Sequence, residues 1–139
     1  SSIRSGALHE TMSGDQYDKN LILESAEAAL RAGEAVAAAP LTIPAACNNG
    51  LCPTLPVGGT DRWLDTTFTA WRAAKSTNDK LVSSQFIIED MGAQPVDGTC
   101  HFQTPIEPTC LVPLYRVTAR ATATNGRGTT VTLQSNIRQ

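Results

Sequence analysis

No proline interrupts the chain between Ser5 and Ala39, whereas all eight of its prolines fall from Pro40 onward. The later part of the proline-free stretch, Leu21 to Val36 (LILESAEAALRAGEAV), is built largely from good helix formers. Leu23, Ala26 and Leu30 stand at i, i+3 and i+7, with Val36 and Ala37 near the same face. Glu24, Glu27, Arg31 and Glu34 lie mostly opposite, and Glu27 with Arg31 forms an i, i+4 pair in the favourable orientation. The spacing predicts an amphipathic helix whose core face is Leu23, Ala26 and Leu30. Leu8 and Met12 carry the apolar stripe backwards. Gly14 interrupts it at about 1 kcal/mol relative to alanine, and Ser13 with Gln16 fits a capping box that starts a fresh helix. One kinked helix and a frayed turn followed by a helix both satisfy this pattern. A continuous helix to Ala38 measures on the order of 50 Å at 1.5 Å per residue. The radius of gyration of a compact chain of this length is only ~14 Å. Such a helix projects beyond its own domain and asks to be continued or buried by neighbours.

Beyond Pro40 and Pro44 the pattern changes. Pro40 to Thr60 reads as a loop rich in Pro, Gly and Asn. Asp61 to Lys75, with Trp63, Leu64, Phe68 and Trp71, predicts a short helix over part of its length. Leu81 to Met91, centred on Phe86-Ile87-Ile88, reads as a strand, and Gly92 to Pro113 as a second loop. At the end Tyr115, Val117, Ala119 and Ala121 alternate with Arg116, Thr118, Arg120 and Thr122. After Asn125-Gly126-Arg127-Gly128 the alternation resumes at Val131, Leu133 and Ile137, which predicts a hairpin turning at Asn125-Gly126 or just after. Its apolar face is suited to receive the helix, and its Thr/Arg face is expected to be wet. The expected fold class is α+β: a helix over residues 1–39, and a globular head over 40–139 with an antiparallel sheet. Phe86, Ile88, Tyr115, Val117, Val131 and Leu133 are its expected sheet core.

At 139 residues, 41% of them hydrophobic and 17% charged, the chain is sized and composed for a single globular core. A net charge of −2 is too near zero for a dedicated nucleic-acid or polybasic membrane binder. The four cysteines form two local pairs, Cys47/Cys52 and Cys100/Cys110, each among loop residues and neither with C-x-x-C spacing. Local pairing is expected, which places the domain in the periplasm or outside the cell; four unpaired thiols are the alternative. No apolar run is long enough to span a bilayer. The opening Ser1-Ser2-Ile3-Arg4-Ser5 has no signal-peptide core, so a targeting segment is expected to have been removed.

Chemistry-bearing residues are sparse. His9 and His101 lack any local nucleophile signature. Asp61/Asp65, Glu89/Asp90 and Asp97 are candidate carboxylate pairs, read more simply as solvated turn and strand-end groups. No Walker A, G-x-G-x-x-G, H-E-x-x-H or EF-hand pattern occurs; Asp97-Gly98, near a disulfide, could assist a Ca²⁺ site, but its surrounding oxygen ligands are too sparse to define one. No catalytic residue, cofactor or metal is assigned. Charge is unevenly spread. Residues 113–139 carry Arg116, Arg120, Arg127 and Arg138 and no acid, whereas residues 1–39 hold six acids against three bases. Opposite-signed regions suit packing against relatives, although Arg116 and Arg120 also serve simply to solubilise an open sheet face. Nucleic-acid binding there would want stacking platforms, and the hairpin offers only Tyr115. Trp63 and Trp71 are a conceivable platform in a secreted carbohydrate-binding module, but read more simply as core.

A helix, a strand and a closing hairpin, in that order along the chain, resemble one family. Leu21–Glu34 (LILESAEAALRAGE) resembles the helix of PilX-type minor pilins of type IV pili, with its A-A-E-A-A-L-R-x-x-E core. Met12-Ser-Gly-Asp-Gln-Tyr-Asp-Lys-Asn-Leu is similar to the M-A-G-N-x-x-D-x-x-L stretch preceding it there. Gln85-Phe-Ile-Ile-Glu-Asp-Met-Gly resembles the family's Y-V-I-E-E-L-G strand. Tyr115-Arg-Val-Thr-Ala-Arg-Ala with Thr130-Val-Thr-Leu-Gln-Ser resembles its closing hairpin. The intervening loops carry no matching pattern. The resemblance implies a type IV pilin-like fold and a non-catalytic subunit of the minor-pilin tip complex that primes pilus assembly and supports adhesion and twitching motility. Implied partners are other minor pilins and the major pilin, through the N-terminal helix, and a tip adhesin of the PilY type. It further implies inner-membrane anchoring before assembly, then a place in the extracellular pilus. The apolar segment of roughly 20 residues needed for that anchor is expected directly upstream of Ser1. A type II secretion pseudopilin is the near alternative.

Overall fold

A computed structural model describes residues 5–74, 81–95, 110–124 and 130–139, with the side chains of the helix described from Lys19 onward. Helix α1 spans Ser5–Ala38. The side chains of Ser13 and Gln16, which bear on the two forms at Gly14, lie outside that description. Five strands follow: β1 (Leu51–Cys52), β2 (Arg72–Ala74), β3 (Val82–Pro95), β4 (Leu111–Ala123) and β5 (Val131–Arg138). They form one mixed sheet in the order β1-β3-β4-β5, with β2 also pairing β3. β3, β4 and β5 are antiparallel neighbours, and β1 joins β3 in parallel through Leu51↔Ile88 and Cys52↔Glu89.

The helix lies on the apolar face of β3–β5. Phe86, Ile88, Tyr115, Val117 and Ala119 form one buried cluster with Ala29 and Ala37, and Leu30 packs on its margin. Val82, Ala121 and Ala123 form a second with Leu21, Ile22 and Ala26, with Val131 and Leu133 half-buried beside it. The two pairs from the final hairpin, Tyr115↔Ile137 and Ala119↔Leu133, belong to one unbroken β4–β5 register. The turn expected at Asn125-Gly126 lies outside the described residues.

The helix is rotated from its expected setting. Leu23, expected on the core face, is 40% exposed. The buried stripe is Leu21, Ile22, Ser25, Ala26, Ala29, Gly33 and Ala37, with only small residues from Ser25 onward. Gly33 explains the setting: a Cβ there would stand 2.5 Å from Val117 Cγ1 and 3.1 Å from the Phe86 ring. The sheet presses on a groove of small side chains, so the larger Leu23 and Leu30 are turned to the outside and the flank.

Two further expectations change. The helix predicted in Asp61–Lys75 is only a short 3-10 turn, Arg62–Leu64, followed by extended chain and β2. Pairing of β2 with Ser84–Phe86 supplies the backbone hydrogen bonds that a helix would have made internally. The loop Pro40–Thr60 contains β1, a strand too short to be read from alternation and held by a long-range partner.

At its C-terminal end α1 has no basic residue in the last turn. Its orphan carbonyls are met from the far end of the chain: the Gln139 side-chain amide donates to Ala37 O at 2.8 Å and also to Ala39 O.

Candidate functional site

Strand alternation sends Ile87 and Glu89 to the face of β3 opposite Phe86 and Ile88. In the β3–β4 register Glu89 opposes Arg116, Ile87 opposes Thr118 and Gln85 opposes Arg120. This is the face expected to be wet, yet Ile87, Glu89 and Thr118 are buried. The segment from Asp61 to Trp71 lies across it as a strap. Its first hold is ionic. Glu89, 1% exposed, accepts from Arg62 Nη1 at 2.9 Å through one oxygen and from Arg116 Nη2 at 2.9 Å and Nε at 3.1 Å through the other. Asp61 Oδ1 stands 3.7 Å from Arg116 Nη2 on the exposed side. Its second hold is aromatic. The Arg120 guanidinium lies 3.9 Å from the centroid of the Trp71 ring while its Nε donates to Gln85 Oε1 at 2.9 Å. Phe68 meets Trp71 edge-on at 6.1 Å. Burial pulls the Arg120 pKa below its ordinary value.

The loop ahead of the strap is pinned as well. Cys47 and Cys52 are disulfide-bonded. Between them Asn49 and Gly50 take positive φ, and Gly50 sits so close to Arg72 that a Cβ there would be 2.5 Å from the arginine's own. Gly50 N donates to Ala70 O at 2.8 Å, and Gly50 O accepts from Ile88 N at 2.6 Å. The disulfide loop is therefore hydrogen-bonded to both strap and sheet. Cys110 is also disulfide-bonded; its expected partner Cys100 lies outside the described residues.

Among the described candidate carboxylates, Asp61 and Glu89 meet on Arg116, and the others bind locally. Glu89 faces two guanidinium groups. Asp90 accepts from Gly92 N. Asp65 accepts from both the Thr67 amide and its hydroxyl, which hold its pKa below the ordinary 3.8. The side chain of His9, together with His101 and Asp97, lies outside the described residues. Among those described, no group of three or more His, Cys, Asp and Glu is placed to hold a metal ion. Trp71 is buried between Arg120 and Phe68 and presents no open ring for stacking.

What the head offers to partners is surface. The outward face of α1 presents Leu23, Glu24, Glu27, Arg31, Ala35 and Ala38. The loop 40–60 carries a turn closed by Gly59 N to Pro56 O, which holds Val57 fully in solvent. Of the second expected loop, 92–113, both ends are strand, with Ala93–Pro95 pairing Leu111–Pro113, and residues 96–109 lie outside the described part. The interactions of Arg62, Glu89, Gly33 and Gln139 join residues far apart in sequence and leave no local pattern. The one available signal was a glutamate and an arginine at alternating positions of neighbouring apolar strands.

Among the described residues no helix is long and apolar enough to cross a membrane. No curated protein and no solved structure matches the chain. The family described as Type IV pilus assembly protein PilX C-term matches residues 30–139, which contain both resembling strand regions and the end of the helix motif. The match covers well over half of the chain, and the chain belongs to this PilX family of type IV pilus assembly proteins.

Proposed function

We propose that this minor pilin belongs to the tip complex that primes pilus assembly, with residues 1–39 as its assembly arm and residues 40–139 as its head. The observation that carries this reading is the outward face of α1. It joins an exposed Leu23 to small residues at Ala35 and Ala38, and to charges at Glu24, Glu27 and Arg31. Small side chains let a neighbouring helix approach closely, and the mixed charges favour a defined register. The head loops, including the Val57 turn, then serve contacts with other heads and with a large adhesin of the PilY type. Before assembly the protein is anchored in the inner membrane by an upstream apolar segment of roughly 20 residues, and afterwards it sits at the fibre tip, supporting adhesion and twitching motility. The family match favours the pilus over the secretion-system alternative.

The test is pairwise and combined mixing of this chain with candidate minor pilins, read by gel filtration and light scattering. A heterocomplex weakened by Leu23→Arg supports the proposal, as does loss of surface pili when the gene is deleted. Absence of any complex, with normal piliation in the deletion strain, overturns it.

A further inference from the structure

β5 closes one side of the sheet, and its free edge has a definite pattern. Gln139 N donates to Pro113 O at 3.0 Å, which continues the β4–β5 register of Leu114↔Arg138 by one step. In an antiparallel ladder, hydrogen-bonded residues alternate with residues whose backbone groups point away. Residues 131, 133, 135 and 137 therefore bond to β4, and Thr132, Gln134 and Asn136 aim their N–H and C=O groups outward. Among the described residues no partner meets these outward backbone groups. The edge also lacks the usual defences against pairing: Val131–Arg138 contains no proline and no lysine, and its register shows no bulge. Its single charge is Arg138, at the end.

The side chains along this edge allow a second copy without a clash of charge, the Gln134 amide donating within the chain to Thr118 Oγ1 at 3.0 Å and the Ser135 hydroxyl to Glu34 Oε2 at 3.0 Å. Take two copies antiparallel about a two-fold axis at Gln134, a register that spares Gln139, already engaged by the end of α1. Gln134 then faces the partner's Gln134, and Thr132 faces the partner's Asn136, both polar and uncharged. On the helix side the half-buried Val131 faces the partner's Ile137, and the half-buried Leu133 faces the partner's Ser135. Arg138 falls opposite the partner's Thr130, so no like charges meet. We infer that β5 is a homotypic docking edge, on which a second copy of this chain adds its own β5 to make one sheet continuous across two subunits. The inference is independent of the proposed place at the pilus tip, because it concerns contacts between identical heads.

The experiment is sedimentation of the 139-residue chain over a concentration series. A reversible monomer–dimer equilibrium is expected. Gln134→Lys and Gln134→Glu each place like charges face to face across the axis, and each should weaken the dimer by about threefold to fivefold. An equimolar mixture of the two should recover it as a heterodimer. Asn136→Pro removes an outward N–H that β4 does not use, and should abolish the dimer while leaving the circular dichroism spectrum unchanged. A chain monomeric at every concentration overturns the inference. So does a dimer indifferent to Asn136→Pro, or one in which the lysine and glutamate variants fail to complement each other.

Discussion

Arg62 and Glu89, 27 residues apart in the chain, meet at 2.9 Å beneath the strap. The carboxylate is almost wholly removed from solvent, and Arg116 completes its coordination from the neighbouring strand. This contact sets which part of the sheet is covered. It turns a face that alternation alone would leave to water into a second packed layer, and it occupies two groups that would otherwise be free for chemistry or recognition.

Removing the carboxylate should therefore cost more than an exposed pair would. Glu89→Ala leaves two guanidinium groups facing each other in a desolvated site, and a loss of about 3 kcal/mol is expected in urea unfolding. Asp61→Ala, at the exposed margin of the same cluster, should cost less than about 1 kcal/mol. Equal effects of the two substitutions would show that the buried contact does not anchor the strap.

The buried stripe of α1 should respond in opposite senses at two positions. Gly33→Ala gains about 1 kcal/mol in helix propensity but forces a methyl against Val117 and Phe86, an overpacking worth about 1–3 kcal/mol. A net loss is expected in thermal unfolding. Ser25, by contrast, buries a hydroxyl that finds no partner among the described residues. Ser25→Ala removes that desolvated group and should raise stability by about 1 kcal/mol.

Opening Cys47–Cys52 frees only a short loop, for which the chain-entropy relation gives about 2 kcal/mol. Because Gly50 in that loop bonds to both Ala70 and Ile88, Cys47→Ser with Cys52→Ala should also loosen the strap. Hydrogen exchange at the Gly50 and Ile88 amides should accelerate relative to that at β4, and unchanged protection would separate the disulfide from the strap.

Tyr115 provides a pH test. Burial, with a smaller contribution from the Asp90 charge, raises its pKa above the ordinary 10.0. The folded state thus holds this proton more tightly than the unfolded chain does. Its contribution is fully present below pH 10.0 and is lost as pH rises through the folded-state value. Tyr115→Phe should flatten the alkaline decline in stability, measured by urea unfolding from neutral pH upward.

Much of this protein was legible along the chain because the relevant signals are local. A proline-free run of Ala, Leu and Glu sets a helix, and strict alternation around Asn125-Gly126 sets a hairpin. The clustering of Phe86, Ile87 and Ile88 marks a buried strand, and the close spacing of Cys47 and Cys52 favours their union. Those signals, with the resemblance they carry, reached the family. Tertiary structure decided the rest, because the deciding contacts join residues far apart in sequence. Periodicity locates an apolar stripe only to within a turn or so, and the fit of Gly33 against Val117 chose the small-residue groove over Leu23. Alternation says that Glu89 and Arg116 leave the core face, but not that Arg62 and Trp71 will cover them. That covering depends on cross-strand register and on a parallel pairing of β1, neither of which a single strand's own pattern contains.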